Sequence, residues 1–169
     1  MKKIFFAFAL LCIISQSCQS PGQKKALDYN NKIANITLAN QNKWKELGQE
    51  INTAEQSHDY TKLSKMTNDL ISFLDQKITE VDAMQTPEGG EDLKSATIDF
   101  LKFDKGIAEE KAKPYTQMNE QTTPEEFQTT TQELFAQADK EEPYHTKMIE
   151  AQKDFAKKNN LKLQENSSK

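Results

Sequence analysis

Two segments of this 169-residue chain have a spacing that could ligate metal: Glu55-Gln56-Ser57-His58 and Glu142-Pro143-Tyr144-His145. On a helix, Glu-x-x-His puts a carboxylate and an imidazole on one face, a turn apart. Ferritin-like bundles use two such pairs, with one Glu from each of two further helices, to hold two metal ions. The two segments contain the only histidines of the chain. Their positions forbid a shared centre. His58 closes the first helical segment, whereas His145 lies some twenty residues down the fourth, an axial separation of about 30 Å at 1.5 Å per residue. No metal and no cofactor is therefore expected.

The second candidate for chemistry is a sulfur nucleophile. The stretch Cys12-Ile13-Ile14-Ser15-Gln16-Ser17-Cys18 ends an apolar leader, after which the sequence turns polar. Met1-Lys2-Lys3 followed by the apolar run 4–14 has the form of a bacterial export signal; about eleven apolar residues are too few to span a bilayer permanently. Ser15 and Ser17 place small residues at −3 and −1, so an ordinary signal peptidase could cut before Cys18. The same cysteine is also placed as a lipobox cysteine, which is diacylated and becomes the first residue of the mature chain, although Ser15 stands where Leu is usual. Cys12 leaves with the leader, so Cys18 has nothing to pair with, and a free thiol in an oxidising compartment is a liability. Lipidation of Cys18 is the expected modification. Two or three acyl chains, at about 0.8 kcal/mol per buried methylene, would anchor the chain firmly.

Other chemistries find no footing. The mature chain has no second Cys, no Gly-x-Ser-x-Gly, no Ser-x-x-Lys and no His-Glu-x-x-His. Five glycines, none in a Gly-x-Gly, leave no phosphate-cradling loop. The 26 carboxylates read as solvated helix faces paired with Lys. All 22 basic residues are Lys, so bidentate guanidinium clamps are absent. The whole chain carries −4, and losing Lys2 and Lys3 makes it more acidic still, which argues against nucleic acid as a partner. No catalytic residues and no enzymatic activity are expected.

Residues 18–25, with Ser20-Pro21-Gly22, read as a tether. Over 26–163, apolar residues recur at helical spacing in four segments. Tyr29, Ile33, Ile36, Trp44, Leu47, Ile51 and Ala54 mark the first; Tyr60, Leu63, Leu70, Phe73, Leu74, Ile78, Val81 and Met84 the second. Leu93, Ala96, Phe100, Phe103, Ile107, Tyr115 and Met118 mark the third; Phe127, Leu134, Phe135, Ala138, Met148, Ile149 and Phe155 the fourth. Oxygens of Ser57-His58-Asp59 can cap the second helix, and Thr123-Pro124-Glu125-Glu126 is a capping-box start for the last. Short loops between rods of roughly 40–55 Å predict an all-α, up-down-up-down antiparallel four-helix bundle. The polar end, residues 164–169, is expected to fray.

Pro114 and Pro143 fall inside helical patterns and predict a kink or break at each. Two readings of them stay open: the kinks bend long helices around the core, or they open a pocket between the third and fourth helices, for which Tyr115, Tyr144 and His145 are the candidate lining residues. Two polar residues interrupt the core stripe, Asn40 between Ile36 and Trp44 and Lys111 between Ile107 and Tyr115. Each is expected to form a polar layer or to reach outward, and otherwise to line a groove.

The Cys18 leader, short tether and Ala26-Leu27-Asp28-Tyr29-Asn30-Asn31-Lys32-Ile33 start resemble a family of small uncharacterised surface lipoproteins of Bacteroidetes-type bacteria and leptospires. That resemblance covers the leader and first helix; it implies a surface location and brings no functional residues. The expected protein is a lipid-anchored module of the bacterial cell envelope, at the outer membrane, that binds or builds without catalysing. A carrier of a small ligand or metal is the competing expectation.

Overall fold

The computed structural model describes residues 10–13 and 20–166. Helix α1 spans Pro21–Ser57, α2 Thr61–Ala83, α3 Glu91–Ile107, α4 Pro124–Ala138 and α5 Glu142–Lys158. A π-helical turn, Ala108–Ala112, and a 3-10 turn, Lys113–Gln117, prolong α3. The fold is an all-α four-helix bundle in which α1, α2 and extended α3 form three rods, and α4 followed by α5 forms the fourth. α2 packs between α1 and α3, and α3 packs on α5. The only strand pairing among the described residues joins β1, Leu10–Ile13, to β2, Leu163–Asn166, antiparallel. β1 lies within the segment read as a leader, and β2 takes up the first three residues of the end expected to fray.

The start of α1 departs from the expected tether. Ser20 accepts from the Gln23 N–H at 3.2 Å, and the Gln23 side chain accepts the Ser20 N–H at 3.1 Å. With Pro21 in the first turn, the stretch read as a linker is a complete helix start. Thr123 and Glu126 form the same reciprocal cap on α4, at 3.2 and 2.9 Å, as the sequence predicts. Asp59 serves α2 by accepting both the N–H and the hydroxyl of Thr61, and these bonds hold its carboxyl below the usual range.

The two prolines act differently. Ahead of Pro114 the helix widens, with the Lys113 N–H donating to the Ala108 carbonyl, and then tightens into the 3-10 turn. A helix must change its bonding around a residue with no N–H. Pro143 kinks nothing: the fourth rod breaks at residues 139–141, and Pro143 sits in the first turn of α5, where no N–H is required.

His58 ends α1 in the left-handed region, φ 57°, its N–H bonded to the Ala54 carbonyl at 2.8 Å. A Cβ at that conformation is strained, so His58→Gly is expected to raise stability by up to about 1 kcal/mol, measured by urea denaturation.

Candidate functional site

The bundle interior is mostly apolar, with buried polar groups at several levels. Near the base, Gln152 of α5 donates to Asn30 of α1 at 3.0 Å, both buried. One level up, the Thr37 hydroxyl donates to the Ile33 carbonyl at 3.0 Å and lies 3.8 Å from the Met148 sulfur. Phe100 of α3 and Phe155 of α5 are both buried in the core, and α3 packs on α5.

At mid-height stands the most unusual group, built from three rods. Asp104 of α3 is 1% exposed. Its Oδ2 accepts both the Asn40 amide and, at 3.2 Å, the indole N–H of Trp44, two residues one turn apart on α1. Glu141, at the break between α4 and α5, is 6% exposed. Burial pushes the Asp104 carboxyl up to about 7 against the lowering effect of those two bonds. Burial, and then the nearby Asp104 carboxyl, push Glu141 up to about 9. Among the described residues no lysine reaches either carboxyl, and no hydrogen bond or ion pair offsets the burial of Glu141. Asn40 Oδ1 is likewise buried without a hydrogen-bonding partner among the described residues. The arrangement favours neutral acids; two buried carboxylates with no cation beside them would be very costly.

The residues singled out for a pocket are not brought together. Tyr115 is wholly buried at the far end of the bundle, where its hydroxyl meets Thr131 Oγ1 at 2.8 Å and its ring packs on Phe127, itself against Tyr60. Tyr144 is exposed and stacks on Phe103 with ring centres 4.3 Å apart. His145 is half-buried beside Phe100 at 6.3 Å, and desolvation lowers its pKa. Tyr144 and His145 meet different neighbours and Tyr115 lies in the core at the far end, so Tyr115 does not meet the other two. Between α1 and α4 a cavity of about 20 Å³ is lined by Trp44, Leu47, Gly48, Leu134 and Phe135, room for one water in apolar walls.

Of the two interruptions in the core stripe, Asn40 forms the polar layer and Lys111 reaches outward to Glu133 at 3.0 Å. His58 and His145 stand on different rods at different heights. Among the described residues no three His, Cys, Asp or Glu side chains are placed to hold a metal ion. Cys18 lies outside the described residues, none of whose helices is long and apolar enough to cross a membrane.

Asp104 and Glu141 escaped the sequence reading. Asp104 carried a signal, because Leu93, Ala96, Phe100, Asp104 and Ile107 follow one helical stripe and Phe103 lies beside it. Glu141, inside Lys140-Glu141-Glu142, carried none. Comparison with known proteins finds no matching family model, no similar curated protein and no similar solved structure.

Proposed function

We propose that this chain is exported, held at the bacterial outer membrane by lipid on Cys18, and acts there as a non-enzymatic binding or structural module. The supporting observation is where the fold begins. Ser20 and Gln23 cap α1 reciprocally two residues beyond Cys18, so the folded domain starts where an anchored mature chain would start. A leader ending in a lone cysteine, followed at once by a capped helix, is the layout of a domain seated on its anchor. The burial of Phe100 and Phe155 where α3 packs on α5, together with the placement of Tyr115 away from Tyr144 and His145, favours a surface-acting module over an internal carrier.

The reading is tested by feeding an alkyne-tagged fatty acid to bacteria producing the protein. Wild type is expected to take up label and to fractionate with membranes; Cys18→Ala is expected to fall to background label. Unlabelled wild type would sink the proposal.

A further inference from the structure

The buried acid Glu141 coincides with the break in the fourth rod. Glu141 terminates the three-residue gap between α4 and α5, where Asp139 and Lys140 are exposed and Glu141 alone turns inward. The gap is held by turn bonds: Lys140 N–H to the Gln137 carbonyl and Glu141 N–H to the Ala138 carbonyl, at 3.1 and 3.0 Å. The first turn of α5 hangs on the same residue, since the Glu141 carbonyl accepts the N–H groups of Tyr144 and His145 at 3.0 and 3.1 Å. A glutamine would fill this position without the penalty of a buried charge, whereas an acid fills it only while it keeps its proton.

Among the described residues no charged group is paired with Glu141 to change that. From α1 come Asn40 and Trp44, neither of which ionises near neutrality. From α3 comes Asp104, and from α5 His145, whose burial favours its neutral form. The ion pairs of these rods, Lys105 with Asp75 of α2 at 2.6 Å, Lys147 with Asp99 at 2.8 Å and Lys111 with Glu133, involve other carboxylates.

We propose that Asp104 and Glu141 form a proton-held latch. With both carboxyls neutral the 139–141 break lies against α3; ionisation of the pair drives the Glu141 carboxylate to solvent and loosens the start of α5. The route out is short, because both residues before Glu141 and Glu142 after it are already at the surface. The two members of the pair have separate reporters. Trp44 is the only tryptophan in the chain, and its indole N–H sits on the Asp104 carboxyl. The backbone amides of residues 141–145 report the break.

The experiment follows Trp44 emission and hydrogen–deuterium exchange of the 141–145 amides from pH 5 to 9, corrected for intrinsic exchange, in wild type, Glu141→Gln and Asp104→Asn. In wild type the emission is expected to titrate, and protection of 141–145 to fall at least tenfold across the range, while the Gly90 and Asn159 amides at the base hold theirs. Glu141→Gln is expected to keep the emission change and to lose the loosening. Asp104→Asn is expected to abolish the emission change and to move the loosening to lower pH, because the charge that resists Glu141 ionisation is gone. Protection independent of pH in wild type overturns the latch, as does loosening that persists in Glu141→Gln. Should Glu141→Gln fail to fold, Asp104→Asn decides alone: a displaced loosening supports the latch and an undisplaced one overturns it.

Discussion

Raising the pH from 5 to 9 is expected to lower the melting temperature on the order of 10 °C, at about 2–4 °C per kcal/mol for a chain of this size. The sign follows from the two mid-bundle acids. Both have folded-state values above their ordinary ones, Asp104 at about 7 and Glu141 at about 9. The unfolded chain therefore gives up these protons more readily than the folded one. Their contribution is fully present below the ordinary carboxylate range, declines as pH rises, and is exhausted once pH passes both folded values. His145 acts in the opposite sense, since burial lowers its pKa and it charges more easily when unfolded, but its effect is confined to the acid end of the window. Tyr29 and Tyr115, both pushed up by burial to about 12, titrate above the window. Differential scanning calorimetry over the range checks the prediction, with Glu141→Gln as control. That variant should show a visibly flatter profile; an identical slope would mean that the pH dependence comes from elsewhere.

Phe155→Ala is expected to cost about 3–5 kcal/mol, because the ring is 1% exposed where three segments meet at the base of the bundle. It packs edge-on against Tyr29, ring centres 5.6 Å apart. It also lies where a Cβ on Gly90 would come within 3.3 Å of it, so the turn between α2 and α3 is moulded to its edge. The Tyr29 hydroxyl in turn donates to the Gly90 carbonyl at 3.4 Å. Removing the ring leaves a cavity that these tightly placed groups cannot collapse to fill. Urea denaturation measures the loss. Phe73→Ala, where the ring is only partly buried and lies 5.6 Å from the Lys77 ammonium, is expected to lose less than half as much.

Much of the bundle was legible because its helices carry simple stripes. Of Tyr29, Ile33, Ile36, Trp44, Leu47, Ile51 and Ala54, placed on one face by spacing alone, all but the partly buried Trp44 are buried. Thr123 to Glu126 announced α4, since a reciprocal cap is a short-range device written wholly in four residues. The misread places are those where local chemistry has two meanings. Ser20-Pro21-Gly22-Gln23 is both good linker composition and a good helix start, and only the Gln23 side chain folding back on Ser20 decides. Pro143 was legible as an interruption but not as a first-turn residue, because the break at 139–141 carries no proline or glycine of its own. The buried acids were hidden for a stronger reason. An acidic residue on an amphipathic helix normally marks the outer face, and burial of Glu141 depends on how three rods meet, which no single segment encodes.

The cap at Ser20 also fixes how far the bundle can stray from an anchor. With lipid on Cys18, only two residue steps separate the attachment point from the capped first turn, a reach of at most ~7 Å. The molecule would then stand on the bilayer like a post and not drift on a leash. The 37 residues of α1, rising 1.5 Å each, lift the loop at His58 about 55 Å above the foot. The crown formed by that loop and residues 118–123 is then what a partner on an opposing surface would meet first. The foot, with Gly90 and Asn159, would be reserved for neighbours in the same leaflet.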